Sequence, residues 1–172
     1  MGAWGVKTFE NDSALDWISE LEDDKDLSIV VYKFSEFNHE YQDSPAETLD
    51  SDLSSEVLAA VEIVAVLRGA PGGDIPPAIE RWLKKKSYDR NLVSVFNEMM
   101  KSDAVDDETK LQWKAFSKEE KWKYIVSALA DDAVKLIEII LSQSELKDLW
   151  EESDKYEDWL SEVNYLKSRC GG

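Results

Sequence analysis

The chain has 172 residues, with 37 Asp and Glu against 20 Lys and Arg, a formal net charge of −17. At 43% hydrophobic and 10% aromatic it is too apolar for a disordered chain, and it is long enough for one compact domain without metals or disulfides. So strong an acidity excludes a dedicated nucleic-acid binder, whose phosphate contacts need a basic face, and suits a basic protein partner.

Asn11, Asp12 and Ser13 offer N-cap oxygens for a first helix whose inner side carries Ala14, Leu15, Trp17, Ile18 and Leu21. Val30, Phe34, Phe37 and Tyr41 recur at helical spacing and predict a second helix, although its opening Ile29-Val30-Val31-Tyr32 is β-rich. Asp43 to Asp52, with Pro45, is expected to be a loop. Ser54 or Ser55 then opens a nearly all-apolar helix, Glu56 to Arg68, closed by Gly69. A helix apolar on every side belongs in the middle of the fold. Ala70 to Asp74 is a turn, and Pro76 and Pro77 fit the first turn of a short helix through Ile79, Trp82 and Leu83.

Further helices carry Leu92, Val95, Phe96, Met99 and Met100, then Leu111 and Trp113. A Ser117-Lys118-Glu119-Glu120 capping box starts the longest helix, with a stripe from Trp122 and Ile125 through Leu136 and Ile137 to Leu141. Ser144 caps Glu145 to Glu152, and a last helix shows Trp159, Leu160, Val163 and Leu166. The expected fold is all-α: a single compact bundle of about seven to nine helices over residues 1–172, with an N-terminal arm at 1–12.

Charge is unevenly spread. The net is −12 over residues 1–60, +1 over 61–125 and −6 over 126–172. No run approaches the roughly 18 apolar residues of a membrane span, and the opening Met1 to Lys7 lacks the apolar core of a signal peptide. With one cysteine, Cys170, no intramolecular disulfide can form, and a cytoplasmic location is expected.

Motif chemistry is sparse. Asp50-x-Asp52-x-Ser54 and Asp24-x-Asp26-x-Ser28 begin like calcium loops but lack Gly at the sixth position and Glu at the twelfth. Zinc and di-metal carboxylate sites need more than His39 and Cys170, so no metal or cofactor is expected. Nucleophilic catalysis would have to use His39, which sits in an acidic, polar stretch typical of the surface. No catalytic residue is assigned.

Two features stand out. Glu62 is the lone charge on Val57 to Leu67, and its helical neighbours Leu58, Ala59, Ala65 and Val66 give it no polar surroundings. A carboxylate there must accept hydrogen bonds or take up a proton. It is either a catalytic acid or ligand anchor, or, the favoured reading, a structural acceptor for backbone amides or a Trp N–H. The second feature is Gly2-Ala3-Trp4-Gly5, followed by Phe9-Glu10-Asn11-Asp12 and Ala14-Leu15-Asp16-Trp17. Trp4 and Phe9 read as plugs that fix a glycine-bearing arm against the bundle, where the arm would supply donors to Glu62. Trp4, Phe9, Asn11, Asp12, Asp16, Trp17 and Glu62 thus form one candidate unit.

The same residues carry a resemblance to a bacterial family described as domain of unknown function 4259. Leu58-Ala59-Ala60-x-Glu62-Ile63-Val64-Ala65-x-Leu67-Arg68-Gly69 is similar to that family's central helix, and Pro76-x-x-Ile79-x-x-Trp82 and Ser144 to Glu152 resemble later blocks. Residues 84–134 look like extra length relative to shorter members. The resemblance implies a small bacterial cytoplasmic protein and brings no activity, substrate or catalytic residue.

The expected function is therefore a protein-interaction module, most concretely an immunity- or antitoxin-type inhibitor of a basic partner, with no nucleic-acid or membrane role. Its candidate partner face is Glu20, Glu22, Asp23, Asp24, Asp50 and Asp52. The alternative is a small-ligand protein or enzyme using Glu62 with Trp4, Asn11, Asp12 or Asp16 near it.

Overall fold

The computed structural model describes residues 5–20, 27–43, 48–73, 75–84 and 88–171. Among them are nine helices and no strand: α1 (Asp12–Glu20), α2 (Ser28–Asp43), α3 (Ser51–Leu67), α4 (Pro77–Lys84), α5 (Tyr88–Met99), α6 (Asp107–Ala115), α7 (Lys118–Gln143), α8 (Glu145–Glu151) and α9 (Tyr156–Gly171). The expected contributions of Leu21, Pro45 and Asp74, and of the Leu83 side chain, lie outside the described residues.

Helix α3 is the axle of the bundle. Its buried side chains run from Leu53 to Ala65 and appear on every face, so it can only be satisfied by neighbours all round. Those neighbours are α1, α2, α7, α8 and α9. The second axis is α7, whose buried Ile125, Val126, Leu129, Ala133, Leu136, Ile137 and Ile140 form the stripe expected from the sequence. It lies between α3 and α9 and also meets α2 and α5. Trp150 of α8 stacks on Trp159 of α9, ring centroids 5.9 Å apart, and closes that end of the core.

One local reading is corrected. Helix α3 starts at Ser51 because its N-cap is Asp50, four residues before Ser54 and five before Ser55: Asp50 Oδ1 accepts the amides of Asp52 and Leu53, both at 2.9 Å. Ser54 and Ser55 lie inside the helix and donate their hydroxyls back to the carbonyls of Asp50 (2.7 Å) and Ser51 (2.8 Å). A serine that can bond back one turn is satisfied within a helix as well as at its start, so residue type does not separate the two positions. The β-rich opening of α2 is nonetheless helical, since only a helix buries Val30, Phe34 and Phe37 together.

The ends that matter most are well capped. After Arg68, Gly69 takes a left-handed φ of 81°, its amide bonds Val66 O at 2.9 Å, and the amide of Ala70 bonds Ala65 O at 2.9 Å, a Schellman ending. Ser117 and Glu120 form the expected capping box at the start of α7. Ser144, fully buried, ends α7 and caps α8 by accepting the amide of Lys147 at 3.1 Å. The segment before α3 is pinned at this same junction, where Leu49 donates to Gln143 O (3.1 Å) and accepts from the amide of Glu145 (2.9 Å). Among the described residues, no helix is long and apolar enough to cross a membrane.

Candidate functional site

The described part of the N-terminal arm, from Gly5 on, is seated between α3, α8 and α9. Gly5, Val6, Lys7 and Thr8 lie with Asn11, Ser55, Leu58, Trp150, Trp159 and Val163 around a small void of about 20 Å³. A turn shapes the arm: the Glu10 amide bonds Lys7 O (3.0 Å), and Glu10 Oε2 accepts the Lys7 amide (3.1 Å). Glu10's carboxylate crosses so close over Gly5 that a Cβ there would collide with it. Phe9 packs, half-buried, against the core.

Asn11 ties the arm to the axle helix. Its Oδ1 accepts the Ala14 amide at 3.2 Å and caps α1, while its Nδ2 donates to Ser55 Oγ on α3 at 3.2 Å. Both ends of the buried amide are thereby used.

Glu62 meets a partner that the sequence reading did not foresee. Arg169, near the end of α9, grips it with both terminal nitrogens: Nη2 donates to Oε1 at 2.5 Å and Nη1 to Oε2 at 2.8 Å. The two side chains are 12% and 8% exposed, so the pair is largely withdrawn from water. Nη1 also reaches the carbonyl of Ala70 at 3.3 Å, just past the α3 ending. The guanidinium lies 4.9 Å from the Tyr165 ring centroid on one side. It packs against Gly72 elsewhere, where an added Cβ would meet its nitrogens at 3.0–3.1 Å. Burial works against the charge on Arg169, but the hydrogen bonds and charge of Glu62 outweigh it and raise its pKa. The fork-on-fork pairing is the strong geometry for an Arg–carboxylate contact.

A second strand of contacts locks the same helix end. Arg68 donates Nη1 to the carbonyl of Cys170. The Cys170 thiol is fully buried, points at Val61 O (3.9 Å), and burial pushes its pKa up to about 11. The end of α9 is thus fastened to α3 at Glu62, Val61 and Arg68.

Around Glu62 and Arg169 is a cavity of about 50 Å³, lined also by Lys7, Thr8, Phe9, Gly72, Gly73, Glu162 and Tyr165. Of the candidate unit, then, the structure brings Phe9 beside Glu62. Asn11 bonds Ser55, two turns along the helix from Glu62. Trp17 is in the core, and Asp12 and Asp16 are exposed on α1, away from this cavity. Trp4 lies outside the described residues. Among the described residues the donors to Glu62 come from Arg169 rather than from arm amides or an indole. The only sequence signal for Arg169 is its place three residues after Leu166, beside the apolar stripe of α9, and Lys167 stands as near to that stripe.

The candidate partner face falls differently. Glu22, Asp23 and Asp24, and the Glu20 side chain, lie outside the described residues. Asp50 serves as the cap of α3, with one oxygen occupied by amides. Asp52 accepts the Ser13 hydroxyl at 2.7 Å, which sets the first turn of α1 against the first turn of α3. The Asp50 amide donates to Glu40 Oε1 at 3.4 Å, which brings in the last turn of α2, where exposed His39 and Asp43 pair at 3.0 Å. These bonds bring the first turn of α1, the last turn of α2 and the start of α3 to one corner, and the same helices carry the exposed Asp12, Asp16 and Asp43. Among the described residues no three Asp, Glu, His or Cys side chains converge as metal ligands would.

The fold and these contacts define an acidic all-α protein in which an N-terminal arm and a C-terminal arginine are both fastened to one apolar central helix. The profile of the family described as domain of unknown function (DUF4259) matches residues 2–162, and the chain belongs to that family. No curated protein and no solved structure matches it.

Proposed function

We propose that the protein is an interaction module that binds a basic protein partner through the acidic corner formed by α1, α2 and the start of α3, in the manner of an immunity- or antitoxin-type inhibitor working in the cytoplasm. The observation that carries this is the fate of the local cations. Between Lys7 and Arg68 the sequence has two bases, Lys25 and Lys33. Lys33 is turned inward, 12% exposed, and spends its charge on Glu36 (2.7 Å) and on Glu56 of α3 (2.5 Å). Burial disfavours its charge, but those two carboxylates more than offset this and raise its pKa. Lys33 therefore does not neutralise the corner, whose carboxylates keep a negative field that would speed the approach of a basic surface.

The rival use of Glu62 as a catalytic acid or ligand anchor has less support. Both its oxygens are engaged by a guanidinium, so neither is open to a ligand or substrate.

The test is affinity capture from the source cells with the wild-type protein and with an Asp12→Asn/Asp16→Asn/Asp52→Asn variant. The proposal expects a basic protein held by the wild type, released in high salt, and lost at least tenfold by the variant. Capture that is equal for both proteins, or that survives high salt unchanged, would overturn it.

A further inference from the structure

Among the described residues, one groove is rich in cations although the protein is acidic. It lies where the end of α5, helix α6 and the start of α7 meet, has a volume of about 480 Å³, and is lined by Asn97, Met100, Lys101, Lys110, Trp113, Lys114 and Lys121. Four of its seven lining residues are lysines, in a chain of net charge −17. We propose that this groove binds a small organic polyphosphate of nucleotide size, its phosphates on the lysines and its uncharged body against Met100 and Trp113.

Two of the four lysines, Lys110 and Lys114, have unspent charges. Lys101 is paired with Glu98 (2.6 Å). Lys110 and Lys114 stand one turn apart on α6, where like charges repel, and among the described residues neither has an ion-pair partner. Lys121 sits 4.9 Å from the Trp113 ring centroid, held over the aromatic face at the groove rather than by a carboxylate. Three neighbouring acids are committed elsewhere, and Asp103, Asp107 and Glu108 are not among the lining residues. Asp106 caps α6 through the amide and hydroxyl of Thr109 (2.8 and 2.7 Å), Glu120 closes the capping box with Ser117 (2.8 Å), and Glu119 pairs with Lys123 (2.8 Å).

The rest of the lining fits the uncharged part of such a ligand. Trp113 is buried and fixed by its Nε1 donating to Asn97 Oδ1 at 2.9 Å, which leaves the Asn97 amide nitrogen as a donor at the groove wall. Met100 supplies an adaptable apolar contact. Lysines are point charges without the planar fork that selects carboxylates, so several of them together suit the dispersed charge of a polyphosphate. The volume lies within the roughly 300–1,000 Å³ of small-molecule sites.

Titration calorimetry of the full chain with ATP, tripolyphosphate, adenosine and a short polyglutamate peptide tests this, with a Lys110→Gln/Lys114→Gln variant whose fold is checked by circular dichroism. Saturable ATP binding is expected, at least tenfold weaker in the variant and at least tenfold weaker for tripolyphosphate, with none for adenosine. Absence of saturable ATP binding, equal binding by the variant, or tripolyphosphate matching ATP would overturn the proposal. So would polyglutamate competing as well as ATP, which would assign the groove to acidic protein segments instead.

Discussion

At the scale of single residues, the pairing of Glu62 with Arg169 dominates the interior. A charge left behind in such a setting is far more costly than the intact pair is stabilising. Arg169→Ala should lower stability by about 3 kcal/mol in urea unfolding, whereas Glu62→Met/Arg169→Met should lie closer to wild type than either single change. Cys170 offers a second readout. Its thiol is raised from 9.0 to about 11 in the folded protein. Because the folded state holds this proton more tightly, the associated stability is intact below pH 9 and is lost as pH rises from 9 towards 11. The thiol should accordingly be silent to disulfide reagents at pH 8 in native buffer and react on unfolding; rapid native labelling would contradict its burial. The sequence made the isolation of Glu62 visible, because helical spacing gives its neighbours directly. It did not make the partner visible, because Arg169 lies 107 positions away and only the packing of α9 on α3 joins them.

At the scale of elements, the caps hold the axle helix in register. Gly69→Ala places a Cβ on a left-handed residue with φ of 81° and should destabilise by about 1 kcal/mol, through conformation alone, since nothing lies within 4 Å of that Cβ. Asn11→Ala removes the cap of α1 and leaves the Ser55 hydroxyl without its donor, and about 1–2 kcal/mol of lost stability in thermal or urea melts is expected. Element order, the stripe of α7, its capping box, the Gly69 ending and the Ser144 cap of α8 were legible because each rests on contacts within a few residues. The start of α3 was misplaced because Asp50, Ser54 and Ser55 are all competent caps by residue type. What decided among them is burial: Ser54 is 0% and Ser55 4% exposed, inside the core rather than at its edge.

For the whole molecule, the charge map divides the labour. Residues 1–60 carry −12 and 61–125 carry +1, and the structure brings Glu40, Asp50 and Asp52 of the first segment to one corner and four lysines of the second to one groove. This polarity was half legible: the sums are in the sequence, but which carboxylates share a surface depends on α1, α2 and α3 meeting at Ser13, Glu40 and Asp52. In the proposed function Glu62 is a structural carboxylate, and Asp12, Asp16 and Asp52 are the ones that would face a partner. The measurement that tests it most directly is the affinity of the captured partner for Glu62→Gln and for Asp12→Asn/Asp16→Asn/Asp52→Asn, side by side at a temperature where both are folded. The account predicts that Glu62→Gln melts earlier yet binds within about twofold of wild type, while the surface variant melts near wild type and binds at least tenfold more weakly. Loss of binding with Glu62→Gln and full retention in the surface variant would contradict it.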